Sequence, residues 1–281
     1  MVDVHDFELV KSHGEPPLAP PPQVGPSRLW IVVAILVVAI AAITYYLANR
    51  VQRPAPAATT ARSAPAPASR PLGAEAPAIE LPPLDASDAA VRELVRQVTS
   101  NPRIAAWLAT DGLIRSFTVG VQNIAEGTTP SASFGVLRPG GAFETAGRGT
   151  LEISPRSYQR YDELAAAMAS IDPAGAARLY TIVKPRIDEA YRDLGFPDTP
   201  FDRALEQAIV SLLQVPAVDG PIRLEPKGIG YAYANPQLEG LTAAQKQLLR
   251  AGPGNVRMVQ ASLRQIALAL GIPPQRLPPP R

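Results

Sequence analysis

A cluster of polar residues in the last third of the chain offers the most specific chemistry in the sequence. The stretch LTAAQKQLLRAGPGNVR carries Lys246, Arg250, Asn255 and Arg257 around a Gly-Pro-Gly turn. If a new helix begins at Asn255, its first backbone amides are exposed at a helix N-terminus, where anions bind. We therefore predict an anion-binding site made of Lys246, Arg250, Asn255 and Arg257. The alternative is a structural role. Lys246 and Arg250 would lie near a helix C-terminus, where cations suit the helix dipole, and each arginine would pair with an internal acid such as Glu239 or with a buried carbonyl.

Acidic residues provide a second candidate chemistry. Two acid pairs lie on predicted helices, namely Asp162 with Glu163 and Glu189 with Asp193. A glycosidase-type hydrolase needs two carboxyl groups that face each other across a cleft. Neighbouring acids on a helix point in different directions, and Glu189 has arginines at ion-pair spacing. We expect solvated helix faces here, and the alternative function is a carboxylate-dependent hydrolase that acts on cell-wall polysaccharide.

Most other catalytic chemistries are absent from the sequence. The chain has no cysteine, and its two histidines, His5 and His13, lie in the N-terminal tail. The globular region therefore lacks Ser-His-Asp and Cys-His arrangements and any His- or Cys-ligated metal site. It also contains neither a Walker sequence nor a complete G-x-G-x-x-G motif. We predict no catalytic residue, no metal and no cofactor.

The charge distribution argues against a nucleic-acid partner. The whole chain has 27 basic and 25 acidic residues, which gives a formal net charge of +2. From residue 84 onward there are 21 basic and 19 acidic residues, so the globular region is nearly balanced. A phosphate-tracking surface would need a clear basic excess.

Residues 29–48 are the segment that we predict to anchor the domain in a membrane. Its first nineteen residues, LWIVVAILVVAIAAITYYL, contain no charge and would span about 28 Å as a helix, which matches the hydrocarbon core of a bilayer. Trp30 and the pair Tyr45 and Tyr46 lie at its ends, where aromatic rings favour the membrane interface. We predict one transmembrane helix; a cleaved signal peptide with a long charged leader is the alternative.

The regions beside this helix are rich in proline. Residues 1–28 and 49–83 lack the apolar residues needed to offset chain ordering, so we predict a disordered tail and a Pro/Ala-rich linker. Arginines after the helix favour a cytoplasmic C-terminal side, whereas a first hydrophobic segment with a short leader favours export of the C-terminal region. We predict a single-pass protein of the bacterial inner membrane whose C-terminal domain is periplasmic.

Residues 84–271 carry helical periodicity with clear start signals. Asn101-Pro102, Ser154-Pro155 and Asp172-Pro173 each combine a capping side chain with proline at the first helical position. Two short alternating pairs, 142–145 with 150–153 and 222–225 with 229–233, predict small β hairpins. The fold class is therefore mainly α, and residues 272–281 form a Pro-rich tail.

Several segments resemble a known bacterial family, the domain-of-unknown-function family 3014. They are LPPLDASDAAVRELV, NPRIAAWL, LIRSFTVGVQNIAEG, YDELAAAMASIDP, AYRDLGFPDTPFDRAL and LTAAQKQLLRAGPGNVR. The resemblance covers nearly all of residues 81–270 in order. It implies a single-pass anchored protein with a proline-rich spacer. Because the family carries no assigned activity, cofactor or catalytic residue, it assigns no function to any position here.

The sequence thus predicts a membrane-anchored envelope protein with a non-enzymatic binding or scaffold module. Its partner would be an envelope protein, a glycan or a lipid.

Overall fold

Helices make up most of the folded region, which confirms the mainly α fold class. The structure is a computed structural model that describes residues 71–130, 133–135, 138–147 and 149–280. The predicted tail, the transmembrane helix at 29–48 and most of the linker lie outside the described residues. Within the described ranges, no helix is long and apolar enough to cross a membrane.

The helices begin where local sequence signals place them. They are α1 (Asp88–Arg96), α2 (Pro102–Leu108), α3 (Leu113–Ala125), α4 (Pro155–Gln159), α5 (Asp162–Ala169), α6 (Pro173–Asp193), α7 (Phe201–Leu213), α8 (Pro236–Glu239), α9 (Ala243–Leu249) and α10 (Gly252–Ala269). Asn101, Ser154 and Asp172 each accept a hydrogen bond from a first-turn amide of the adjoining helix. These bonds satisfy amides that have no partner inside the helix.

The longer helices enclose the main hydrophobic core. α3 packs on α6 and α7, and α10 packs on α5, α6 and α7. Phe201 is fully buried, with its ring 5.3 Å from that of Tyr191 and 6.0 Å from that of Phe117. Pro185 lies inside α6, which continues through it.

The two predicted hairpins are present and join into one antiparallel sheet. The strands are β1 (Thr145–Ala146), β2 (Leu151–Ile153), β3 (Arg223–Lys227) and β4 (Gly230–Tyr233), in that spatial order. The hairpins meet through β2 and β3, where Leu151 pairs with Leu224. A second, smaller apolar cluster contains Ile153, Leu224, Tyr233, Leu249 and Val256 and connects the sheet to α9 and α10.

Both ends of the described chain lie against the helical core. Residues 71–83 belong to the segment that the sequence analysis assigns to the linker, yet the Leu72 amide donates to Asp202 and Arg186 donates to the Leu81 carbonyl. Ile272 and Leu277, from the predicted Pro-rich tail, are buried. The folded unit therefore includes residues on both sides of 84–271.

The sequence predicted that Gly252-Pro253-Gly254 separates two helices, and this prediction was wrong. The segment forms the first turn of α10, so that only Arg250 and Ala251 lie between α9 and α10. Gly252 has a φ of +81°, and a Cβ there would lie 2.5 Å from the ring of Tyr158. Glycine is needed both for this left-handed backbone and for the close approach of Tyr158.

Candidate functional site

Lys246 lies on α9 and already has a carboxylate partner. Its Nζ is 3.1 Å from Oε2 of Glu239. Glu239 also accepts hydrogen bonds from Lys227 and from the backbone amide of Tyr233, both at 3.2 Å. This carboxylate therefore connects α8 with α9 and β4. Lys246 has a structural partner, and this partner is the acid that the alternative had named for the arginines.

Arg257 and Asn255 lie on α10 and are also engaged. Arg257 forms an ion pair with Asp219, which is exposed and so contributes little to stability. The Asn255 side chain is buried, and its Nδ2 lies 2.8 Å from Asp162 Oδ1 and 3.1 Å from the Tyr158 carbonyl. Asn255 thus holds the start of α10 against α4 and α5.

Arg250 has a different environment. Its side chain is exposed and, within the described residues, forms no salt bridge. Its guanidinium is close to the Tyr233 hydroxyl, and its charge also acts on the phenol of Tyr161. Burial raises the pKa of both phenols. At Tyr161 the positive charges of Arg160 and Arg250 oppose that rise, and at Tyr233 Arg250 opposes it. Arg250 is therefore a cation among tyrosine hydroxyls rather than carboxylates.

The helix before Arg250 is fixed by a capping box. The Thr242 side chain accepts from the Gln245 amide, and the Gln245 side chain accepts from the Thr242 amide. Gln245 also donates to the Ser211 carbonyl at 3.0 Å, which ties α9 to the end of α7. The two hydrogen bonds between Thr242 and Gln245 fix the start of α9. Arg250 directly follows this helix, so its position is fixed as well.

The Glu239 carboxyl should make stability depend on pH. The Tyr233 amide, followed by Lys246 and Lys227, lowers the pKa of Glu239 to about 2 in the folded protein, against about 4.3 when unfolded. A lowered folded pKa stabilises the protein above the unfolded pKa, and this stabilisation is lost as pH falls towards 2. We expect Glu239→Gln to lower the thermal midpoint at pH 7 and the difference from wild type to shrink between pH 5 and pH 2. A pH-independent difference would contradict this role for the carboxylate.

A large cavity lies inside the helical core. Its volume is about 500 Å³ and it is partly open to solvent. Side chains from most of the helices line it, among them Val95, Phe117, Leu164, Leu179, Leu205 and Leu263. The wall is almost entirely apolar, which is typical of a site for an apolar ligand. Sequence analysis did not predict this cavity.

Six of the described lining residues carry polar groups that interrupt the apolar wall, namely Thr99, Trp107, Arg138, Tyr161, Tyr180 and Gln247. Trp107 Nε1 and Gln247 Oε1 are buried and have no hydrogen-bond partner. Arg138 is the only charged residue among the described lining residues, and it is already engaged with a partner. The Trp107 ring is partly buried, 6.0 Å from that of Phe134, which occupies the space left by the missing side chain of Gly120. These aromatic rings cover one side of the cavity.

The acids proposed for hydrolysis all have partners. Glu163 lies 2.6 Å from Arg103, Glu189 lies 2.8 Å from Arg186 and Asp193 lies 2.8 Å from Arg115. The ion pair of Glu189 agrees with the surface pairing expected from its spacing. Asp162 accepts from Asn255. Within the described ranges, no group of three acidic or histidine side chains could hold a metal ion.

Comparison with known proteins gives a family but no named relative. Residues 113–267 match the family described as "Protein of unknown function (DUF3014)". No curated protein and no solved structure matches the chain. The match agrees with the resemblance seen in the individual segments and includes α3 to α10, among them the α9–α10 junction. Because it covers more than half of the sequence, the chain belongs to this family of unknown function.

Proposed function

We propose that the domain is a non-enzymatic binding module that takes up the apolar chain of a lipid in its internal cavity. The observation that carries this proposal is the cavity of about 500 Å³ with its apolar wall. Small-molecule sites are usually concave, largely apolar and about 300–1,000 Å³ in volume. The cavity falls within this range.

An unoccupied cavity leaves its apolar wall without dispersion contacts, which costs free energy. Water compensates poorly, since a buried water needs two to four polar partners. An apolar chain would restore dispersion contacts along the wall and remove its own surface from water.

The volume favours a single long chain. An engineered cavity of about 150 Å³ accommodates one benzene molecule, so three such molecules, or roughly eighteen carbon atoms, correspond to the volume seen here. Each methylene group moved from water into the cavity would contribute about 0.8 kcal/mol before ordering costs. The proposed occupant is therefore one acyl or alkyl chain.

The predicted anchor supports a lipid rather than a protein or glycan partner. With the helix at 29–48 in the membrane, only the 22 residues from 49 to 70 separate this helix from the described domain. The domain would then remain close to the bilayer, which is a source of acyl chains. We also propose that the protein crosses the bacterial inner membrane once and that this domain is on the periplasmic side. The reason is that a first hydrophobic segment with a short leader favours export of the C-terminal region.

The hydrolase alternative receives less support. A general acid and its partner carboxylate must be available to the substrate across an open cleft. The four acids named from the sequence are instead occupied by three arginines and one asparagine. The binding module is therefore the better proposal.

Photoaffinity labelling would test the proposal. The full-length chain, kept in detergent-free solution by an amphipathic polymer, is labelled with a photoreactive alkyl probe, and the labelled peptides are mapped by mass spectrometry. We expect labels on cavity-lining residues of α5, α9 and α10, removed by excess unlabelled dodecyl compound. Ile229→Ser is a control, because Ile229 is fully exposed and lies outside the cavity. Labelling confined to the surface around Ile229, or lost in this control, would contradict the proposal.

A further inference from the structure

The cavity extends to the junction between α9 and α10. Tyr161, Leu248 and Ala251 all line its wall. Arg250 directly precedes Ala251 in the chain and is near enough to Tyr161 for its charge to act on that phenol. A chain that occupies the cavity can therefore place one of its ends near Arg250.

Arg250 differs from the other cations of this segment. Lys246 and Arg257 each pair with a carboxylate, whereas Arg250 is exposed and has no salt bridge within the part of the chain that the structure describes. A guanidinium presents five N–H donors in a planar arrangement that fits carboxylate and phosphate groups. Its side chain is thus suited to an anionic group and is not already neutralised.

Two buried tyrosine hydroxyls provide an independent indication of a ligand. Tyr233 is only 7% exposed, and neither its buried hydroxyl nor that of Tyr158 donates a hydrogen bond. Arg250 approaches the Tyr233 hydroxyl as a donor, and Tyr158 lies near Tyr233. Burial raises the pKa of both phenols, so each keeps its proton at neutral pH. Buried hydroxyls that donate no hydrogen bond are uncommon in folded proteins, and these two can donate to an acceptor.

We infer that Arg250, with the hydroxyls of Tyr161 and Tyr233 beside it, binds the oxyanion head group of a lipid whose chain lies in the cavity. This inference rests on the proposed function and specifies its ligand class. The head group would be the carboxylate of a fatty acid or the phosphate of a monoester, both of which accept charge-assisted hydrogen bonds. The first turn of α10, which begins at Gly252, adds the positive end of a helix dipole.

The test is competition against the photoreactive alkyl probe on the full-length chain at neutral pH. Three competitors share one chain length and differ only in the head group: dodecyl phosphate, dodecanoate and dodecanol. We expect both anions to displace the probe from cavity peptides at about ten- to hundredfold lower concentration than the alcohol, as for hydrogen bonds to a charged group. The stronger anion then shows whether the site prefers phosphate or carboxylate.

Variants assign the preference to named side chains. Arg250→Gln should remove the anion preference and leave dodecanol competition unchanged, and Arg250→Lys should retain part of it. Tyr233→Phe keeps the ring and should lower the preference severalfold. Arg257→Gln is the matched control, because this nearby arginine is already paired with Asp219. Thermal unfolding of each variant shows whether the fold is retained.

The outcomes separate this inference from the proposed function. If none of the three compounds displaces the probe, both the lipid site and its head-group site are wrong. If dodecanol competes as well as the anions, the cavity binds chains but Arg250 does not select the head group. A preference that survives in folded Arg250→Gln, or that disappears equally in Arg257→Gln, also overturns the assignment.

Discussion

Replacing Asp202 by alanine is expected to lower the free energy of unfolding by about 2–4 kcal/mol. Its carboxylate lies 2.7 Å from Lys184 Nζ and 2.5 Å from the Tyr180 hydroxyl, and it accepts from the Leu72 amide at 3.0 Å. The Asp202 and Lys184 side chains are each about four-fifths buried. Removing the carboxylate leaves a largely buried ammonium group with Asp188 as its remaining carboxylate partner. It also removes the hydrogen bond that holds the Leu72 amide against α7.

Burial shifts the pKa of the Asp202 carboxyl in one direction, and its hydrogen bonds and the nearby positive charge shift it in the other. Burial alone would raise the pKa of this carboxyl, but the hydrogen bonds from Lys184, Tyr180 and the Leu72 amide together lower it below its ordinary value. The folded state therefore favours the ionised form. The stabilisation is present above the unfolded pKa of about 3.9 and is lost as pH falls below it.

Urea unfolding of the full-length chain would measure the effect of Asp202→Ala. Asp198→Ala is the matched control, since Asp198 is exposed and lies in the loop before α7; an exposed substitution of this kind changes stability by about 0.5 kcal/mol or less. The prediction is wrong if the two variants have the same midpoint at pH 7. It is also wrong if the effect of Asp202→Ala is equally large at a pH below the unfolded pKa.

Local interactions explain which parts of the fold could be predicted. The starts of α2, α4 and α6 depend on Asn101, Ser154 and Asp172, whose partners are two or three residues away. Both hairpins can be predicted from alternation over a few residues. By contrast, β2 pairs with β3 about seventy residues later, and Asp202 binds an amide 130 residues away. Such contacts depend on the assembled core, and no short pattern records them.

The candidate site also combines local features that can be predicted from the sequence with long-range contacts that cannot. The sequence places Arg250 and Arg257 around a Gly-Pro-Gly segment, but it does not show that Asp219, 38 residues away, pairs with one of them. The positive φ of Gly252 lets α10 begin at once, which moves Asn255 from the expected start of the helix into its first turn. The binding role of Arg250 stays a prediction, and the tyrosines near it come from elements that are distant in the sequence.

The cavity could not be predicted because periodicity gives only the direction of a side chain. Val95, Phe117 and Leu179 lie at helical spacing with other apolar residues, and all three line the cavity. Whether inward side chains fill the space between helices depends on helix separation and on the summed side-chain volumes. Neither quantity can be read from one sequence.

Leucine substitution at two alanines of α5 is expected to have opposite effects on stability. Ala165 is buried and lines the cavity, whereas Ala167 is fully buried and lies outside the lining. Ala165→Leu adds apolar atoms where there is room and should stabilise the free protein by up to about 2 kcal/mol. Ala167→Leu must displace close-packed neighbours and should destabilise it by about 1–3 kcal/mol.

The same pair connects packing with binding, since each variant carries the same added side chain on the same helix. Ala165→Leu removes cavity volume, so it should weaken photolabelling by the alkyl probe while the thermal midpoint rises. Ala167→Leu should lower the midpoint and leave labelling of the remaining folded protein unchanged. If both variants are destabilised equally, the space beside Ala165 is already filled by protein atoms. If Ala165→Leu is stabilised but labels as strongly as wild type, the chain binds elsewhere, because a ligand in this cavity must compete with the new side chain for the same volume.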